Sequence, residues 1–385
     1  IRLSLEPANL KRFWITTASN RPYLKRIENW GTAQWTNMAS AFYDCVNMQV
    51  SATDVPDLSG VFNMVNMFSI CSSLDSIPNA YLWNTENITN MSAVFNLATL
   101  FNGNIATWNT ENVTNMGVMF GSAYNFNQNI GNWNTSNVTN MSGMFSAATT
   151  FNQNIGNWNT EKVTDMNSMF YGSTAFNQNI GNWITDNVNN MAYMFSGASS
   201  FNQNIGNWNT ENVTNMIQMF NGATVFNQNI GNWITDNVTN MGVMFNNASA
   251  FNQNIGNWNL NASVNMGNML NYCGMDCNNY SSTLIGWSNN PVTPNGRILG
   301  ADGMKYSLNA IAERTNLDVT KAWTINGDAV FAPDNIIVPP STDEIADLNC
   351  DYFTSPLDHD RKLINIDPNG NTFDYDNTTV TISND

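Results

Sequence analysis

The sequence predicts a repeat solenoid with one turn per ~25 residues, and three observations carry that prediction. Tryptophans fall at Trp83, Trp108, Trp133, Trp158, Trp183, Trp208, Trp233 and Trp258, every gap being 25 residues. Phenylalanine keeps the same step from Phe95 to Phe245 and again from Phe101 to Phe251, as do Ile105 to Ile255 and Met91 to Met266. Asparagine supplies 72 of the 385 residues, whereas charged residues make up only 11%. A fixed period in this range means that one supersecondary unit recurs, each copy burying its neighbour's apolar face.

One unit, taken from Val138, reads V-T-N-M-S-G-M-F-S-A-A-T-T-F-N-Q-N-I-G-N-W-N-T-E-K. Met141, Met144, Phe145 and Ala148 stand at i, i+3, i+4 and i+7, the spacing of one helix face. Thr139 and Asn140 just before them are good N-cap types. The sequence therefore predicts a short helix here, followed by a strand over F-N-Q-N-I-G-N-W, where Gly156 and its asparagines weaken a helix. A polar return through N-T-E-N-V-T-N closes the turn. About ten turns run from Phe42 to Leu270; at a strand spacing of ~4.8 Å they make a rod roughly 48 Å long. Phe145, Ile155 and Met144 must then be core residues.

The flanks differ. Residues 1–29 read as an N-terminal cap or the end of a preceding domain, and 30–275 as the repeats. Residues 276–332 read as a capping region, because the pattern decays after Trp258 and a stack's open end needs covering. Helix-forming composition places a cap helix between Met304 and Trp323. Pro333 and Val338-Pro339-Pro340-Ser341 mark a linker over 333–341, and 342–385 begins a separate β-type segment. The five cysteines are too scattered for a disulfide scaffold. Cys273 and Cys277 lack further ligands for zinc but are spaced for a local disulfide.

The first turns carry a resemblance. Ala41-Phe42-Tyr43-Asp44-Cys45 and Phe68-Ser69-Ile70-Cys71-Ser72-Ser73-Leu74-Asp75-Ser76-Ile77-Pro78 resemble the BspA-like leucine-rich repeat. The later turns are similar to a bacterial surface-protein repeat of the same length and unknown function. The resemblance implies a right-handed, leucine-rich-repeat-like solenoid and an extracellular or surface-anchored bacterial protein with an adhesive role. It brings no catalytic residues with it.

Charge and composition exclude other classes. A net charge of −16 argues against the nucleic-acid backbone as a partner. The acidic C-terminal region is read as a solubility feature rather than as a docking site. No apolar run reaches the ~18 residues of a membrane span. One histidine, His359, leaves no material for His-based triads or multi-histidine metal sites. An enzyme is not expected.

Four columns are candidates for function. The tryptophans either close the core or present a sugar-stacking platform. An acidic column contains Glu111, Glu161, Asp186, Glu211 and Asp236; it is either a solvated face or a weak calcium site, and no other cofactor is expected. Two threonine columns, Thr85 to Thr235 and Thr89 to Thr239, resemble a flat ice-binding face, but four residues rather than one separate them and the second includes the expected helix caps. Finally, recognition should use positions that vary between otherwise identical turns. These are Ile184 and Ile234, where most turns have Asn after Trp, and Tyr193 and Ile217 on the outer side of the expected helix; neutral drift on a solvated face is the alternative reading of the same variation. The expected function is a non-catalytic adhesin or binding module for a protein or glycan on another cell or surface, working with flanking domains of a larger chain. A structural spacer is the alternative.

Overall fold

The computed structural model describes residues 10–331; the linker and the β-type segment expected after residue 332 lie outside the described residues. A repeat architecture is present. Parallel bridges join Asn63 to Asn90, Asn90 to Asn115, Asn115 to Asn140, Asn140 to Asp165, and so on to Asn240 and Asn265. The same column thus bridges each of these repeats to the next.

The expected short helix is not formed. Over 141–148 the backbone makes consecutive tight turns instead. Met144 N–H donates to Met141 C=O (3.2 Å), Ser146 to Gly143 (2.9 Å) and Ala148 to Phe145 (2.9 Å). The alternate amides leave the repeat: those of Met141, Gly143 and Phe145 donate to the carbonyls of Asp165, Asn167 and Met169 at 3.1, 2.7 and 2.9 Å. A helix spends its amides internally, four residues back. Here half of them hold the next repeat. The geometry needs two left-handed residues per turn, such as Gly143 (φ +60°) with Ala147 (φ +55°), and Ser168 (φ +55°) with Gly172 (φ +64°). Such residues interrupt a right-handed helix.

The expected strand is displaced as well. Parallel pairing sits at the Asn140 column, whereas F-N-Q-N-I-G-N-W is joined to its neighbours through side chains. Asn127 Oδ1 accepts from the Asn152 amide (3.0 Å) and from Gln153 Nε2 (3.0 Å). The same arrangement recurs at Asn152, Asn177 and Asn202. A carboxamide oxygen with two lone pairs serves both donors at once, which explains the asparagine content of this segment.

The core follows the columns. Met144, Phe145 and Ile155 are completely buried, as are the equivalent residues of the other repeats. Phe145 stacks on Phe120 and Phe170 at 5.7 Å and on Phe151 of its own repeat at 3.9 Å. The tryptophans are core residues. Trp158 is 4% exposed and its Nε1 donates to Ile130 C=O (3.2 Å), a pattern repeated from Trp133 to Trp258. A ring whose faces and N–H are all engaged cannot be a sugar platform, so that reading is corrected.

At the N-terminal end, β1 (Arg26–Ile27) pairs in parallel with β2 (Gln49–Val50). At the other end, α1 (Cys277–Asn289) covers the last repeat, its N-terminus capped by Asp276 accepting from the Asn279 amide (2.8 Å). Gly286 of α1 lies against the Gly256 backbone so closely that a Cβ would overlap it. Beyond it, β3 (Ile298–Gly300) pairs with β5 (Thr324–Asn326), and β4 (Lys305–Tyr306) with β6 (Ala329–Val330), both parallel. The helix expected between Met304 and Trp323 is reduced to α2 (Ile311–Thr315), flanked by one-turn segments. A buried clip ties the cap together: Tyr280 OH donates to Asp328 (3.0 Å), whose carboxylate also takes two bonds from Arg314. Burial first, then the Asp328 charge, pushes the Tyr280 phenol well above its ordinary value.

Candidate functional site: the outer turns of the repeats

With the interior fixed by packing, the outer positions of residues 141–148 and their equivalents are where one repeat differs from the next. Tyr193 and Ile217 are half-buried and adjoin each other, the Tyr193 amide donating to Ile217 C=O (2.8 Å). Tyr193 holds one of the left-handed positions (φ +59°), where other repeats have Gly143 or Ser168. A bulky side chain there is an outlier among L-residues. The turns also present Tyr171, 46% exposed, which sequence reasoning missed. The signal was present: Tyr171 holds a column that is Ser146 and Ser196 in the adjacent repeats.

These turns carry no charge. Between residues 84 and 275, all seven carboxylates and the single lysine lie in the return segment, from the position of Glu86 to that of Asn90. The outer turns therefore form a neutral surface of amides, hydroxyls and a few large side chains. Ile184 and Ile234 lie elsewhere, on the return segment after the buried tryptophans, 41% and 42% exposed and two repeats apart with Asn209 between. The structure brings Tyr193 and Ile217 together and leaves the two isoleucines isolated.

The carboxylates Glu111, Glu161, Asp186, Glu211 and Asp236 are all exposed. Asp186 accepts from Asn209 Nδ2 (2.5 Å) and Asp236 from Asn259 Nδ2 (3.1 Å). Among the described residues no group of three or more His, Cys, Asp or Glu side chains converges as a metal site would. The threonine columns do not share a face. Thr135, Thr160, Thr185 and Thr210 are buried, each donating its hydroxyl to a carbonyl of the next repeat at 2.8 Å. Thr114, Thr139 and Thr164 are exposed. A paired ice-binding ladder is thereby ruled out.

Cys45, Cys71 and Cys273 are free and buried. Burial pushes the Cys45 thiol up to about 12 and Cys273 to about 11, so neither is a nucleophile at neutral pH. Cys273 is free, so the local disulfide that the Cys273–Cys277 spacing allows is not formed. No helix among the described residues is long and apolar enough to cross a membrane.

No curated protein matches the chain. The family described as "Mycoplasma protein of unknown function, DUF285" matches it three times, over residues 15–81, 62–183 and 173–283. Those matches span the repeats and together cover more than two thirds of the sequence, and the chain belongs to this family.

Proposed function

We propose that the chain is a non-catalytic, extracellular binding module of a bacterial surface or secreted protein. In this reading the repeats form a leucine-rich-repeat-like solenoid of the BspA-like kind, and its outer turns recognise a protein or glycan on another surface. The observation that carries the reading is that Tyr193 and Ile217, half-buried on neutral turns of adjacent repeats, depart from their columns beside a core that repeats almost unchanged. Large side chains at positions that packing does not require are what a recognition surface needs. Tyr193 also sits where glycine is conformationally cheaper.

The test is an array of glycans and host proteins probed with the whole chain and with a Tyr193→Ser/Ile217→Ser variant. Binding by the parent and its loss in the variant, with an unchanged melting temperature, supports the reading. Equal binding by both moves recognition away from these turns. The spacer alternative is favoured by one observation, the unbroken hydrogen-bonded succession of near-identical repeats from Asn90 to Asn265. Absence of binding by this chain, with binding by its flanking domains, would select it.

A further inference from the structure

We infer that the first unit, residues 10–29, carries a separate binding surface whose ligand is an acidic polysaccharide. The charge distribution is the starting point. In a chain of net charge −16, six of the thirteen lysines and arginines fall between Arg2 and Arg26. Lys11, Arg12, Lys25 and Arg26 are exposed. Arg21 is committed to the fold, lying 3.6 Å from Asp44 and over the Tyr43 ring, and Lys11 faces Asp57. Arg12, Lys25 and Arg26 take part in none of the ion pairs among the described residues.

Aromatic rings are interleaved with these cations. Trp14 is 53% and Tyr23 77% exposed, and the Arg12 guanidinium lies 5.2 Å from the Trp14 ring centre. One segment alternates in and out over residues 12–15, and the other turns Leu24 and Ile27 inward. Phe13, Ile15, Leu24 and Ile27 pack on the core, which leaves Arg12, Trp14, Tyr23 and Lys25 outward. The backbone beneath is fixed, since the Lys11 and Lys25 carbonyls accept from the Thr36 and Gln49 amides at 3.0 Å. The side chains therefore stand on a preorganised base.

This combination selects the ligand. Guanidinium and ammonium groups bind carboxylate or sulfate, and exposed ring faces stack on the apolar faces of sugars. A bilayer is a poorer match, because interfacial anchoring uses a broad apolar face and the apolar residues here are turned inward. Duplex nucleic acid carries a charge every ~1.7 Å, a density that few cations on a strongly acidic chain do not offset. A uronate or sulfated chain spaces its charges by sugar units.

The experiment measures binding of the whole chain to polygalacturonate and to heparin, with phosphatidylglycerol vesicles and duplex DNA as comparison arms. Binding to either polysaccharide that weakens with added salt is expected. Arg12→Ser/Lys25→Ser/Arg26→Ser should weaken it roughly tenfold or more, as expected when several ionic contacts are lost. Trp14→Ala/Tyr23→Ala should also weaken it, whereas Tyr193→Ser/Ile217→Ser should not, so failure here and failure of the outer-turn reading are distinguishable. No binding to either polysaccharide overturns the inference. So does binding indifferent to the patch variants, or tighter binding to vesicles or DNA. Should a patch variant melt early, lysine acetylation of the parent decides: Lys25 shielded by polygalacturonate supports the site, and Lys25 unshielded refutes it.

Discussion

Two glycines in adjacent parts of the repeat should fail for different physical reasons when replaced. Gly172 has φ +64°, and a Cβ built there meets nothing nearer than Ala147 Cα at 3.8 Å. Its substitution is limited by backbone conformation alone. Alanine in the left-handed region costs about 1–2 kcal/mol, offset by about 0.4–1 kcal/mol from a less flexible unfolded chain. Gly172→Ala should therefore destabilise by up to about 1.6 kcal/mol, and Gly172→Asn by less, since Asn tolerates this region and Asn247 occupies the equivalent position at φ +57°. Gly181 has no such conformation, but its Cβ would stand 2.5 Å from the Asn204 carbonyl of the next repeat. The two repeats must then separate, an overpacking cost of about 1–3 kcal/mol that grows with side-chain size. At Gly181, Asn should be at least as harmful as Ala. Urea titration gives both orders, and amide exchange shows whether the loss is confined to the flanking repeats. The same ranking of Ala and Asn at both sites would refute the reasoning.

Other outcomes follow from the same geometry. Phe170→Ala removes a fully buried ring stacked on Phe145, Phe176 and Phe195 and should cost about 3–5 kcal/mol by denaturant unfolding; a cost near zero would mean that the column is not core. Val118→Gly relieves a β-branched residue at φ +57° and should raise stability by up to about 1 kcal/mol, the left-handed penalty less the entropy of glycine; a loss on thermal melting would contradict this. Tyr280 supplies a pH dependence. With its folded pKa raised, its contribution is complete below the unfolded value of ~10 and is lost as pH rises towards the folded one, because the unfolded state then binds fewer protons. Tryptophan fluorescence between pH 8 and 11 should report loosening of the cap near Trp287, and Tyr280→Phe should reduce that alkaline sensitivity. An identical profile in the variant would assign the effect elsewhere.

The period and the core columns were legible in the sequence because burial selects side chains by position. What was not legible is the path of the backbone between them. Met141, Met144, Phe145 and Ala148 have helical spacing, yet successive i to i+3 turns direct the same residues inward. The contrary signal was glycine, at Gly143, Gly172, Gly197 and Gly222, inside segments read as helix. The strand over F-N-Q-N-I-G-N-W failed because side-chain carboxamides took the place of backbone pairing, a substitution that strand propensity does not register. Helix α1 was hidden by its composition: asparagines and serines are poor helix formers, and Asp276 as an N-cap was its clearest mark. At the candidate surface, Tyr193 and Ile217 stood out by departing from their columns. Their contact did not, since it depends on amides of one repeat meeting carbonyls of the next.

The outward-directed amides have a consequence for heredity. Every junction from Asn90 to Asn265 uses the same donors and acceptors, so each repeat finds equivalent partners whichever copies flank it. Removing or duplicating one whole repeat restores the original junction and leaves both ends covered. A gene encoding such near-identical blocks invites unequal recombination, and its products should remain foldable at many lengths. Size variants differing by whole repeats are then the form of diversity this architecture tolerates best. A deletion that misses the period by a single residue puts every later column out of step.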